Sequence, residues 1–137
     1  MDILRIIKTR RSIRKYRDKS IADKLIAKIL EAGRWAPSGL NNQPWRFMIV
    51  QNMVRKNQLA VFSKYSRIIK DSAALILVFA DKRVIYNRDK DLMAIGASIQ
   101  NMLLAACSLG IGACWLGEIL SKKKKYRTMY KYQFTWN

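Results

Sequence analysis

Apolar positions recur along this chain with two spacings, helical and strand-like, and together they predict an ordered series of elements. Ile3, Leu4, Ile6 and Ile7 cluster at helical spacing behind Asp2, whose carboxylate suits an N-cap, so a short helix opens the chain. Residues 9–19 break the pattern and read as a polar, basic loop. Ser20 followed by Asp23 has the form of a capping box. Leu25, Ile26, Ile29 and Leu30 then hold helical spacing as far as Gly33, and Pro37 stops any continuation. Residues 36–44 concentrate turn formers and amide side chains. Phe47–Val50 is short and β-prone, and residues 53–69 are amphipathic and predict another helix. Ala73–Ala80 is an unbroken apolar run of strand length, the pattern of a strand buried on both faces. Residues 91–110 form the best helix, with Asp91 placed to cap it and Gly110 to end it, and Gly112–Leu116 reads as a third strand. The order α, α, β, α, β, α, β predicts a mixed α/β or α+β domain, a small sheet covered by helices.

The uncharged stretch from Leu92 to Gly117 is long enough to test as a membrane span. Gln100 and Asn101 near its middle, and the break at Gly110-Ile111-Gly112, argue instead for a helix buried in a core or an oligomer interface. The first apolar run is interrupted by Arg5 and Lys8, which is not the pattern of a signal peptide, so the expected location is cytoplasmic. The chain has 137 residues, the size of one domain. Half of them are apolar, which excludes a disordered chain despite the charge. Histidine is absent, which removes Ser-His-Asp and Cys-His nucleophile systems, His-ligated zinc and histidine acid/base chemistry together. No metal site is expected. Cys107 and Cys114 lie in apolar surroundings without C-x-x-C spacing and read as reduced core thiols.

Lys and Arg number 27 against 9 Asp and Glu, a formal charge of +18, so anionic partners are implied: nucleic acid, a membrane surface or a phosphorylated ligand. The charge has two parts, because residues 121–137 carry six basic side chains, Lys122 to Lys125 among them, and no acid. Three segments can carry chemistry. Arg10-Arg11-Ser12-Ile13-Arg14 offers guanidinium forks and a hydroxyl suited to phosphate, although a solvated basic loop has the same composition. Pro37-Ser38-Gly39-Leu40-Asn41-Asn42-Gln43-Pro44 can present fixed amide donors and acceptors to a planar heterocycle, or be an ordinary turn into a strand. Gly110 to Glu118 places glycines around a short strand, where backbone N–H groups can approach a ligand. Its pattern is not G-x-G-x-x-G, which argues against a dinucleotide Rossmann site.

In order and spacing, R-R-S-I-R-x-Y from Arg10, A-P-S-G-x-N-x-Q-P-W from Ala36 and L-G-I-G-A-C-W-L-G from Leu109 resemble the nitroreductase family of FMN-dependent oxidoreductases over residues 1–120. The resemblance implies an α+β fold with a small mixed or antiparallel sheet covered by helices, and a homodimer with the long apolar helix at its interface and FMN sites shared between subunits. It implies NADH or NADPH as electron donor and a small acceptor such as a nitroaromatic or a quinone. Position by position, it makes Arg10, Arg11 and Ser12 the phosphate and ribityl contacts and puts Arg14 near the pyrimidine edge of the flavin. Pro37, Ser38 and Gly39 would pack on the flavin from the other subunit, with Asn41 in polar contact there and Gln43 beside it or bracing the turn. Gly117 and Glu118 would offer backbone N–H groups to the O4/N5 edge. No side chain is implied as a catalytic acid or base, since hydride passes between stacked rings and the protein supplies position and electrostatics.

Residues 121–137 depart from the family pattern, so the resemblance implies a short or C-terminally truncated member: a flavin-binding domain over 1–120 followed by a basic tail. Lys122 to Lys125 are either a replacement for phosphate-binding charge or a solvated end. Residues 81–90 mark where a lid insertion would sit, and they are short here. Two other readings remain. A nucleic-acid-binding module is suggested by the charge and by Tyr126, Arg127, Tyr130, Lys131 and Tyr132, but recognised binding motifs are missing and basic residues occur on every segment. A nitroreductase-like remnant that no longer holds FMN is the other.

Overall fold

The structure is a computed structural model and describes residues 2–118; the expected basic tail and the last two residues of the expected domain lie outside that range. Helix α1 spans Ile3–Thr9, and the Asp2 carboxylate accepts the Leu4 N–H at 3.0 Å as its N-cap. Helix α2 spans Asp23–Arg34 and turns Ile26, Ile29 and Gly33 inward. Its N-cap is Ala22, without a side-chain bond, so the capping box expected from Ser20 does not form. Ile21 packs into the core beside Ile29, which fixes how the chain enters the helix and leaves Ser20 outside it. Asp23 occupies the first turn, where the helix dipole favours its charge.

Strand β1, Trp45–Val50, pairs antiparallel with strand β2, Leu75–Ala80, in the register Trp45↔Ala80 to Val50↔Leu75. The alternation of the two strands sends their side chains to opposite layers. Phe47, Ile76 and Val78 pack against α2 and against helix α5, Arg88–Ser108, in clusters centred on Trp45, Ala94 and Ile95 and on Ile29, Met102 and Ala106. Met48, Leu75 and Leu77 pack on the other side, against Leu59 and Ala60 of helix α3, Met53–Ala60, and Ile69 of helix α4, Ser66–Asp71. The expected sheet covered by helices is therefore present, with two strands among the described residues. The apolar run gives a strand two residues shorter than expected, and it is half-buried, with Phe79 and Ala80 exposed.

Residues 53–69 do not form one helix. The chain breaks at Val61–Tyr65, where the Ser63 hydroxyl accepts the Tyr65 N–H at 3.1 Å and competes with the helical ladder. Lys56 bridges the two pieces: its buried ammonium donates to the carbonyls of Lys70 and Ser72 at the end of α4. Gly112–Leu116 does not join the sheet. It makes a single parallel bridge, Ala113 to Ser12, with the Ile13 N–H donating to the Ala113 carbonyl at 3.0 Å. Gly112 permits that approach, since a Cβ there would lie 2.9 Å from Ile13 Cγ2.

Helix α5 is capped by Asn87, whose side chain accepts the Lys90 N–H at 3.1 Å; Asp91 lies inside the first turn and has another use, described below. Its other end matches expectation. Gly110 adopts φ 71°, and the Gly110 and Ile111 N–H groups donate to the carbonyls of Cys107 and Ala106, a Schellman ending. No helix among the described residues is long and apolar enough to cross a membrane. The Asn101 amide reaches across to the Ala32 carbonyl at 3.2 Å and fastens α5 to α2. Both cysteines are free thiols and half-buried, not core residues. The α2–α5 contact is closest at Gly33, where a Cβ would come within 2.8 Å of Met102 Cγ and 3.2 Å of Ser98 Oγ. Gly33→Val should therefore lower the unfolding free energy by about 1–3 kcal/mol in urea denaturation, the cost of overpacking a tight helix crossing.

Candidate functional site

The loop after α1 is held by its own backbone contacts, which leaves several basic side chains for other use. Arg11 turns one nitrogen back onto the α1 end, donating to the carbonyls of Lys8 and Arg10 at 2.7 and 2.9 Å. Arg14 reaches the Ser12 carbonyl at 3.4 Å. The Tyr16 hydroxyl donates to the Ile13 carbonyl at 2.8 Å; burial, reinforced by the neighbouring Cys114, pushes its phenol up to about 12, so it stays a donor at neutral pH. Among the described residues, acidic side chains pair with Arg34, Arg46, Arg67, Arg83 and Arg88, and none pairs with Arg10, Arg11 or Arg14. Arg10 and Arg11 line an open groove of about 230 Å³ with Thr9, Leu103, Cys107 and the Gly110–Ala113 segment. The parallel bridge thus brings the first and third candidate segments together.

The amide turn is conformationally strained. Leu40, Asn41 and Gln43 have φ of 55°, 53° and 47°, three non-glycine residues in the left-handed region within four positions. Asn tolerates that region, whereas Leu40 is 84% exposed and gains no packing for adopting it. Such strain persists only where the surroundings hold it, and it gathers at functional sites. Ser38 Oγ accepts the Gln43 N–H at 3.0 Å, the Gln43 amide donates to Asn41 Oδ1 at 3.3 Å, and Arg46 donates to the Gln43 carbonyl at 3.0 Å. Gln43 thus braces the turn. Asn41 and Gln43 border a second groove with Trp35, which shares no lining residue with the arginine groove.

What holds the turn is a buried carboxylate. Asp91, 1% exposed, accepts the Asn42 amide at 2.6 Å through Oδ1 and the Tyr86 and Asn87 N–H groups at 3.0 and 3.1 Å through Oδ2. Asn42 also donates to the Val84 carbonyl at 2.9 Å. Burial opposes the charge of Asp91, but these hydrogen bonds outweigh it and hold its carboxyl below the ordinary value. At the other end of residues 81–87, the Arg83 side chain binds Asp81 and Arg46 joins from β1. The Arg83 hydrogen bond, opposed by burial, holds the Asp81 carboxyl far below the carboxylate range.

Glu118 accepts a hydrogen bond from Ser63 Oγ at 2.9 Å, which places the Val61–Tyr65 break against the end of the third candidate segment. Gly117 is open, with nothing within 4 Å of the position a Cβ would take. The sequence does not single out Ser63, Tyr86 or Asp91 as site residues. Ser63 is hidden inside an amphipathic pattern, Asp91 in a helix start, and Tyr86 in a short polar connector.

A small antiparallel sheet with helices packed on both faces is the α+β architecture of the nitroreductase structures on which this chain superposes. The chain belongs to the nitroreductase family: the model described as "Nitroreductase family" matches residues 7–64 and 56–132. A Methanothermobacter thermautotrophicus protein, provisionally named as an NADH dehydrogenase/NAD(P)H nitroreductase, is 39% identical over 117 residues, covering 85% of this chain and 61% of that protein. The chain thus spans less than two-thirds of that relative's length. A Desulfovibrio desulfuricans crystal structure, provisionally named a nitroreductase and solved in complex with FMN, superposes with a TM-score of 0.87 at 48% identity, covering 89% of this chain and 72% of that one. A Bacteroides fragilis nitroreductase with bound FMN gives a TM-score of 0.70 at 30% identity, covering 94% and 79%.

Two outcomes test the turn. Leu40→Asn should raise the unfolding free energy by about 0.5–1 kcal/mol, because Asn accepts the left-handed conformation that Leu resists. Asp91 contributes stability above its unfolded pKa, and that contribution is lost as the pH falls through the lower folded value. The stability gap between wild type and Asp91→Asn should therefore be constant down to about pH 5 and narrow on further acidification, measured by urea unfolding at each pH. A gap that widens with acid contradicts the clamp.

Proposed function

We propose that this chain binds FMN and works as an NAD(P)H-dependent oxidoreductase on small acceptors such as nitroaromatics or quinones, as a homodimer in the cytoplasm. The observation that carries the reading is the groove lined by Arg10 and Arg11, in a loop where neither they nor Arg14 has an acidic partner among the described residues. A phosphate supplies the missing counter-charge, and guanidinium forks match its oxygens. The FMN complexes solved for the Desulfovibrio and Bacteroides proteins support the choice of cofactor.

When bound, FMN supplies a two-electron relay between a nicotinamide donor, NADH or NADPH, and the acceptor. This chain's own residues then bind, orient and exclude water. Arg10, Arg11 and Ser12 hold the phosphate and ribityl end, with Arg11 oriented by its bonds to the α1 terminus. Arg14 stands by the pyrimidine edge and favours negative charge there. Pro37, Ser38 and Gly39, with Asn41, cover the ring from a second copy of the chain, and Gln43 keeps the turn rigid. A second copy fits the separation of the two grooves, because neither alone offers both the arginines and the amide turn. Gly117 and Glu118 offer backbone N–H groups at the reacting edge, and the Ser63 bond holds Glu118 in place. Hydride transfer between stacked rings asks only for position and electrostatics, so the absence of histidine is no obstacle.

Titration of FMN fluorescence with the purified chain tests this reading. Saturable quenching is expected, and Arg10→Ala should weaken the affinity about 10–100-fold, the loss of a charged hydrogen bond. Unchanged affinity in the variant removes Arg10 from the phosphate site. No quenching by the wild-type chain removes the flavin.

A further inference from the structure

Tyr86 lies on the strained turn in a way the flavin reading does not use. A Cβ built on Gly39 would come within 1.9 Å of the Tyr86 hydroxyl oxygen and 2.7 Å of Cζ. The phenol therefore occupies the side-chain space that Gly39 leaves empty, and any larger residue at 39 would expel it. Tyr86 is 44% exposed, and its hydroxyl has no hydrogen-bond partner among the described residues. Its connector is nevertheless fixed at both ends. Asp91 takes the Tyr86 and Asn87 N–H groups, Asn42 takes the Val84 carbonyl, and Asp81 takes the Arg83 N–H and side chain. The Lys90 ammonium lies over the ring, 5.8 Å from its centroid. A rigidly mounted hydroxyl with a free proton, at the edge of a strained binding turn, is built to donate to something outside the chain.

We infer that Tyr86 is a specificity-determining residue of the acceptor site, donating a hydrogen bond to an oxygen of a planar nitro, quinone or carboxylate-bearing aromatic ligand bound over the turn. The inference rests on the flavin reading, which packs Pro37–Gly39 against the ring on which an acceptor stacks. Hydride delivered to a nitro group or a quinone builds negative charge on the ligand's oxygen, and a hydroxyl within reach of that oxygen lowers the barrier by donating to it. It also selects ligands: a site made to hydrogen-bond an oxygen rejects an analogue lacking it, because the donor is left unpaired. The Tyr86 ring stays in place when only its hydroxyl is removed, so Tyr86→Phe separates hydrogen bonding from shape.

The test compares FMN-loaded wild type and Tyr86→Phe by two readouts. The first is binding of benzoate, whose carboxylate copies the two oxygens of a nitro group and which cannot be reduced, followed by perturbation of the oxidised flavin spectrum. Its Kd should rise about tenfold in the variant. The second is turnover: kcat/KM for a para-quinone should fall about 10–100-fold, while ferricyanide, a one-electron acceptor needing no such bond, is reduced at the wild-type rate. Equal benzoate affinity in the two proteins, or a loss shared by quinone and ferricyanide, overturns the role of Tyr86 while the flavin reading stands. A wild-type chain that retains no flavin overturns both.

Discussion

The arrangement of the site depends on one buried carboxylate. Asp91 sits in the first turn of α5, yet it faces the connector and the amide turn instead of capping its own helix. Three N–H donors meet it, from Asn42, Tyr86 and Asn87, and those donors come from two segments far apart in the chain. A carboxylate buried without such partners would be costly, so the three bonds and the burial require one another. Because α5 is itself clamped to α2 and to one face of the sheet, the carboxylate passes the rigidity of the core to residues 38–43. That rigidity is what sustains three non-glycine residues at positive φ.

Around this clamp, the fold divides its labour. The sheet and its helices on both faces form the packed body, while the chemistry-bearing groups lie on loops at its margin. The arginine loop is attached through the Ser12–Ala113 bridge, and the amide turn through Asp91. The two attachments lead to two separate grooves, one beside Arg10 and Arg11 and one lined by Trp35, Asn41 and Gln43 with the Glu31–Arg34 pair. A cofactor with a phosphate at one end and a planar ring at the other needs both surfaces. On the proposed reading, two copies of the chain supply them in complementary halves.

Much of the body was legible because its signals are local. The Asp2 cap, the α2 stripe at Ile26, Ile29 and Gly33, and the Gly110 ending of α5 all follow from residues within a turn or two of each other. The three motifs also single out the arginine loop and the amide turn, each of which borders a groove in the structure. What escaped depends on distance in sequence. Asn42 and Asp91 are 49 residues apart and Ser63 and Glu118 are 55 apart, so no periodicity reveals either bond. The errors have two origins: a local bond, Ser63 Oγ accepting the Tyr65 N–H, interrupts the helix expected over 53–69, whereas the distant Asn42 amide draws Asp91 away from the cap position that Asn87 fills. Gly112–Leu116 has strand composition but pairs with a loop at one residue, a competition that composition alone does not settle.

If these two loops make a flavin site that accepts electrons from a nicotinamide, the visible spectrum of the loaded protein shows it most directly. The chain is saturated with FMN, freed of excess cofactor on a desalting column, and then mixed anaerobically with NADH or NADPH. The oxidised-flavin bands should travel with the protein and bleach when the nicotinamide is added. Flavin that separates from the protein on the column, or bands that persist with both nicotinamides, would contradict a working flavin site.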